Sequence, residues 1–222
     1  MTELLARYGG LLWGGLLDTL YMVVFSTLFS YVLGLPFGVL LSVTKKGGIA
    51  SAPAFHSAFG WAMNILRSLP FIILIIFIMP FTRFVVGTTI GATAAIVALV
   101  VGSSPFVARM VETTLEEVDS GTIEAARCMG ATNLQIIFRV LLPESVPSLL
   151  RGLSISTITI LGYTAIAGVI GAGGLGDIAV RYGHHHYQTE VMYATVVLLV
   201  LLVCLIQAIF GLLARLLDKR NR

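Results

Sequence analysis

The sequence predicts an all-α integral membrane protein with five transmembrane helices in a single domain, 1–222. Three observations carry that prediction. Hydrophobic residues make up 57% of the chain, charged residues only 11%, and the mean hydropathy is +0.96. A soluble domain of this size would break its apolar runs with charged faces. Second, apolar stretches of about 20 residues, the length a helix needs to cross a bilayer, recur along the chain. Third, the sequence shows none of the ten-residue alternating segments that build a transmembrane barrel.

The spans follow in order. The first runs near 15–41 and ends at the polar "TKKGG". The second covers 59–80, the third 86–110, the fourth 149–170 and the fifth 190–217. The N-terminal "MTELLARYGGLLWGGLL" lacks a basic segment followed by a small-residue cleavage site, so the first span is expected to do the targeting itself. Cys128 and Cys204 make no disulfide pattern.

Lysine and arginine stay on the cytoplasmic side of a membrane and so set the orientation. With the N-terminus outside, the inner side holds Lys45, Lys46, Arg109, Arg127, Arg139, Arg151, Arg215, Lys219, Arg220 and Arg222. The outer side then holds Arg7, Arg83 and Arg181. Ten against three places the C-terminus in the cytoplasm, and the net charge of +3 reflects topology instead of nucleic-acid binding.

The longest loop, 112–148, is therefore cytoplasmic, and it carries helix signals of its own. "TTLE" (Thr113–Glu116) and "TNLQ" (Thr132–Gln135) both fit a capping box. "GTIEAARCM" reads as a short helix with Glu124 at its N-terminus, where the helix dipole favours a carboxylate. Gly130 ends that helix as a left-handed cap. A second helix is expected from Asn133 to Leu142, closed by Pro143.

The stretch "EAARCMGATNLQIIFRVLLP" (124–143) resembles the EAA signature of ABC-importer permeases: Glu-Ala-Ala, three residues, Gly, nine residues, an aliphatic, one residue, Leu-Pro. Glu124, Ala125, Ala126, Gly130, Leu142 and Pro143 match, and Val140 stands where isoleucine is usual. "RSLPFIILIIFIMPFTR", "PFVARMVE" and "GYTAIAGVIGAGGLG" extend the likeness over nearly the whole chain, most closely to the permeases of bacterial methionine importers. The resemblance implies a type I importer permease in the bacterial inner membrane. It also implies a homodimer, two ABC ATPase subunits docked on the EAA helices, and a periplasmic or lipid-anchored substrate-binding protein.

Other motifs carry less. "GAGGLG" (Gly171–Gly176) matches the dinucleotide fingerprint, but a span precedes it where that motif needs a strand and a βαβ unit. It reads as a tight glycine turn at the outer mouth. "HHH" (His184–His186) reads as a solvated loop, because three consecutive side chains cannot easily converge on one ion. Arg67, the basic residue well inside an apolar run, shares a helical face with Asn64 and Trp61. It can snorkel to the inner interface or pair with a carboxylate such as Glu112. No Walker A sequence and no catalytic dyad occurs, so the chain is expected to use no cofactor or metal and to draw ATP energy from a partner.

Two functions compete: an importer permease, and an ATP-independent carrier or channel for a small neutral or zwitterionic solute. Carriers hold ionisable groups near the midplane and show inverted repeats. Here the acids lie in loops or near span ends, and five spans do not divide into equal halves. Span four, the one richest in hydroxyls, is the candidate lining of the path. Ser156, Thr159 and Tyr163 share one face, and Ile166 and Ile170 extend it outward. Tyr163 with Ile166 is the expected constriction.

Overall fold

The computed structural model describes the backbone of residues 2–217 and the side chains of residues 7–216. The tail "DKRNR", with Lys219, Arg220 and Arg222, lies outside the described residues. Among the described residues every regular element is helical. They are α1 (Thr2–Thr44), α2 (Pro53–Ser68), α3 (Phe71–Phe77), α4 (Met79–Val86), α5 (Ala92–Glu116), α6 (Ser120–Cys128), α7 (Asn133–Ile136), α8 (Leu142–Ala167), α9 (Gly174–Ile178) and α10 (Thr189–Leu217). Widened π-type turns fill Ile137–Leu141, Gly168–Ala172 and Ala179–His185.

Four stretches are long and apolar enough to cross a membrane: Arg7–Thr44, Ala92–Glu116, Asn133–Ala172 and Thr189–Leu216. A fifth span is formed only if α2 and α3, bent by 99°, count together. The expected straight span 59–80 is thus replaced by a broken one. Pro70 takes extended angles (φ −57°, ψ 131°), and its ring disfavours helical angles at Leu69, so the helix stops at Ser68. The span expected at 86–110 begins later because Gly87 (φ +83°) and Gly91 (φ +99°) hold the chain out of the helix until Ala92.

Two further sequence signals resolve differently. Thr113 caps nothing: it lies inside α5 and its hydroxyl donates to Arg109 O at 3.0 Å. Pro143 closes nothing either. The turn before it widens, the Leu142 N–H bonds Ile137 O, and the helix continues into α8 past Pro147. A proline ring clashes with the carbonyl four residues back, and a π-turn is the local adjustment that lets a helix absorb such a break.

The chain forms two compact units, and the long helices contribute segments to both. The first comprises Met1–Phe29, Leu69–Ser103 and Thr157–Gln207. Its core gathers Met22, Phe71, Leu74, Leu99 and Ala167, and the Tyr163 ring stacks on Phe71 at 4.5 Å between centroids. The second comprises Ser30–Ser68, Ala208–Arg222 and Ser104–Ser156, and it contains α6 and α7. Its core gathers Val43, Val107, Val111, Leu115, Ala126, Ile136 and Leu141.

Close helix packing in the second unit depends on small residues. A Cβ on Gly34 would stand 2.6 Å from Val107 Cγ1, and one on Gly38 would stand 2.5 Å from Ala108 O. "GLPFG" is a GxxxG pair that lets α1 lie directly against α5. Nearby, Arg109 Nη1 donates to Glu112 Oε2 at 2.7 Å and Arg109 Nη2 donates to Gly60 O at 2.9 Å. The ion pair is largely withdrawn from solvent, and the Arg109–Gly60 bond ties α5 to α2.

Removing one partner of such a pair strands a charge. Glu112→Ala is expected to destabilise the protein by about 3 kcal/mol, whereas the joint replacement Arg109→Met with Glu112→Leu recovers most of that loss. Thermal unfolding of the purified protein in detergent reads both. Equal melting temperatures for Glu112→Ala and wild type would show that the pair is inert.

Candidate functional site

The structured segment between α5 and α8 presents a short helix on a braced turn. Asp119 caps α6, its Oδ1 accepting from Thr122 N at 3.2 Å. Glu124 therefore sits mid-helix instead of at the N-terminus, because the shorter Asp119 side chain takes the cap. Glu124 and Ala125 are exposed, while Ala126 is buried in the core of the second unit. The two alanines of the motif thus have different tasks: Ala126 seats the helix, and Ala125 keeps its outer face flat.

Gly130 adopts φ +80°, and no atom lies within 4 Å of where its Cβ would be. The glycine is required by backbone conformation alone, not by crowding. Gly130 N donates to Arg127 O at 2.9 Å and Ala131 N to Ala126 O at 3.1 Å, which satisfies carbonyls left open at the end of α6. The chain then re-enters helix through the expected capping box: Gln135 N donates to Thr132 Oγ1 at 3.3 Å and Thr132 N to Gln135 Oε1 at 2.8 Å. Leu142 packs at the edge of the core and Pro143 is exposed.

Two contacts brace this segment against the loop after α1. Arg127 Nη2 donates to Ile49 O at 3.0 Å, and Lys45 Nζ pairs with Glu116 Oε1 at 2.9 Å. A cavity of about 240 Å³ opens between them, lined by Ser42, Lys45, Ile49, Glu116, Glu124 and Arg127. Met129 (82%), Leu134 (67%) and Phe138 (66%) of the same segment are exposed. Apolar side chains grouped on a polar surface mark an interaction face.

The α8 residues divide between its two sides. The Ser156 hydroxyl is fully buried, donates to Gly152 O at 2.9 Å and lies 3.3 Å from the Tyr31 hydroxyl. Tyr163, Ile166 and Ile170 are partly buried against the core of the first unit. The exposed stripe of α8 runs through Ile155, Gly162 and Val169, with Thr159 and Ile166 on its flank. Beyond α8, Gly171 turns the chain at φ +97°. Thr19 Oγ1 accepts from Leu175 N at 2.9 Å, and a Cβ on Gly176 would stand 2.5 Å from Ala165 Cα. "GAGGLG" is thus a packing turn between helical segments, with no strand before it.

Residues 34–222 match the family described as binding-protein-dependent transport system inner membrane component. The chain belongs to that family. A relative in Vibrio cholerae, named a probable D-methionine transport system permease protein MetI, is 49% identical over 203 residues, covering 91% of this chain and 90% of its own length. The methionine import system permease protein MetP of Bacillus subtilis is 46% identical over 209 residues, covering 94% of each. A solved inward-facing structure of the MetNI methionine ABC transporter aligns with a TM-score of 0.95 and 47% identity, over 96% of this chain and 99% of that one. The chain is accordingly a multi-pass inner-membrane transport component.

In this family member the α6 residues that the motif singles out come together on one braced element. The motif said nothing of Met129, Leu134 and Phe138, because an apolar residue in an apolar chain does not declare its exposure. The Arg127–Ile49 and Lys45–Glu116 contacts were equally hidden, since their partners are 78 and 71 positions apart. At Gly130, a β-branched residue meets a positive φ that costs about 1–3 kcal/mol. Gly130→Val is expected to raise the hydrogen-exchange rate of the Ala131 amide at least fivefold, and Gly130→Asn, which tolerates left-handed angles, to raise it far less. Equal rates in both variants would mean that the turn does not depend on φ.

Proposed function

We propose that this chain is the membrane-spanning permease subunit of an ATP-driven importer for methionine. Two copies form the path, two ATPase subunits dock from the cytoplasm, and a binding protein delivers substrate from outside. The carrying observation is the braced α6 turn, whose continuation through the π-turn at Ile137–Leu141 into α8 gives a docked partner a stiff lever on a spanning helix. Glu124, Ala125, Ala126 and Gly130 form the docking element in this reading, and Leu142 and Pro143 the joint. The full-length relatives named for methionine transport support the substrate. In the proposed topology the N-terminus lies outside and α6 faces the cytoplasm, as the distribution of lysine and arginine favours.

The path runs along α8. α10 is strongly apolar and almost entirely unburied, which suits lipid on most sides. α8 instead exposes Gly162, with the partly buried Thr159 on its flank, and small and hydroxyl side chains favour helix–helix approach in a membrane. Thr159 and Ile166 face the path in this arrangement, and Ile166 forms the constriction. Ser156, Tyr163 and Ile170 set the orientation of that face from behind.

Proteoliposomes holding the permease, its ATPase and the binding protein are expected to accumulate radiolabelled methionine only when ATP is supplied. Accumulation without ATP would favour a carrier instead. In a chain freed of Cys128 and Cys204, cysteines at Ala50 and Ser120 are expected to resist an impermeant reagent applied outside, while one at Gly183 reacts. A cysteine at Ile166 is expected to cross-link between copies in the resting state and to separate once ATP and loaded binding protein are added. Reversed labelling overturns the topology, and absence of any cross-link moves the constriction off α8.

A further inference from the structure

The cavity of about 240 Å³ beside α6 carries more chemistry than a brace requires. Every residue that lines it belongs to the second unit. One wall is the loop after α1. Gly48 N donates to Lys45 O at 2.9 Å, Ala50 N to Val43 O at 3.0 Å and Ala52 N to Thr44 O at 2.9 Å, which fixes that loop on the end of α1. A Cβ on Gly48 would stand 2.5 Å from Val43 O, so the turn is tightly folded. The other wall is α6, held by its Asp119 cap and by the buried Ala126. The space is therefore preformed, and it far exceeds the ~15 Å³ that one water needs.

Its lining is divided by chemistry. Leu115 and Leu141 line it from the core, and Val118 and Ile123 are partly buried beside them. Four charged side chains line it as well: Lys45, Glu116, Glu124 and Arg127. Lys45 and Glu116 satisfy each other at 2.9 Å. Glu124 makes no ion pair and no side-chain hydrogen bond among the described residues. Arg127 commits Nη2 to Ile49 O at 3.0 Å, and its remaining N–H groups make no bond among the described residues. Residues three apart on a helix stand about 5–6 Å from each other between Cβ atoms, yet Glu124 and Arg127 do not pair. A free carboxylate, an open guanidinium and an apolar surface thus share one cavity.

The geometry points to a binding site for a free α-amino acid with an apolar side chain. Arg127 takes the carboxylate, for which a guanidinium offers parallel donors. Glu124 accepts from the ammonium, which sits one carbon away from that carboxylate. The side chain lies against Leu115, Val118, Ile123 and Leu141. Charge favours this class of ligand. Lys45 and Arg127 balance Glu116 and Glu124, so a simple anion or cation gains an opposite charge only by meeting a like one. A zwitterion meets both signs. The seated molecule joins α6 to the loop after α1 as a further brace. The inference goes beyond the importer reading, which serves here only to choose methionine as one probe. A phosphoethanolamine lipid headgroup carries the same pair of charges, and the experiment separates it.

The test uses the assembled permease–ATPase complex in nanodiscs, which leave both faces open to solution. In a chain freed of Cys128 and Cys204, Ser120→Cys places a thiol on the cavity lining. Its alkylation by a fluorescent maleimide is timed with L-methionine, L-leucine, L-methioninamide, which lacks the carboxylate, or N-acetyl-L-methionine, which lacks the ammonium. Methionine and leucine are expected to slow alkylation at least fivefold, and the amide and the N-acetyl compound less than twofold. Glu124→Gln, which breaks no side-chain bond in the structure, is expected to abolish the protection, and so is Arg127→Gln. Glu124→Gln decides the matter if Arg127→Gln loosens the turn. Arg139→Gln, exposed on the same segment and outside the cavity, is expected to be protected as the parent is. Four results overturn the proposal: no protection by either amino acid, equal protection by the amide or the N-acetyl compound, protection that survives Glu124→Gln, or a thiol that the ATPase covers completely. So does alkylation that slows when phosphatidylethanolamine is added to the nanodisc but ignores the amino acids, since a headgroup then fills the cavity. ATP-dependent uptake by proteoliposomes tests the importer reading separately. Uptake without protection removes this inference alone, and protection without uptake removes the importer reading alone.

Discussion

A lipid interior offers no hydrogen-bond partners, so a chain that crosses it must satisfy its own backbone throughout. This constraint organises the structure. It keeps the chain helical from 133 to 170 through two prolines and the widened turn at Ile137–Leu141, until Gly171 leaves helical angles at φ +97°. It also makes the Ser156, Thr164 and Thr195 hydroxyls bond back to carbonyls of their own helices, at 2.7–2.9 Å. Where the helix does break, at Ser68–Phe71 and at Gly171–Gly174, the breaks are set by Pro70 and by a glycine turn packed against Thr19.

The same constraint explains how a surface helix could act on a spanning one. α6 is held by the core contact of Ala126, by Arg127 on Ile49 O and by the Lys45–Glu116 pair. After the Gly130 turn the chain enters helix at Asn133 and stays helical into the membrane. A push on α6 has no slack loop to absorb it. Had Pro143 ended the helix, as its chemistry alone suggests, the docking element and the path would be joined by a flexible hinge.

Several elements were legible because their signals are local. The Thr132–Gln135 capping box and the left-handed Gly130 depend on side chains within three or four positions, and both form as read. The span at 190–217 has no internal proline or positive-φ glycine, and the helix runs Thr189–Leu217. The second span was misread because Pro70 sits inside a run apolar enough to look continuous. The TTLE box was misread because its hydroxyls have a helical alternative, carbonyls one turn back, which α5 supplies.

By itself the sequence determined what this protein is made for. Composition settles the solvent, hydropathy marks the apolar stretches, and the 124–143 spacing carries the likeness to the family. These properties depend on residue identity and near neighbours, which a linear chain states directly. Only the tertiary structure decided which side of each helix is used. Ser156 and Thr159 are equally plausible pore residues in the sequence, yet Ser156 is turned toward Tyr31 and Met110. Glu112 and Glu124 are both carboxylates near arginines, yet one is buried in an ion pair and the other stands exposed at a cavity rim. Facing is set by contacts between residues tens of positions apart, and in a chain apolar on nearly every side no periodicity announces it.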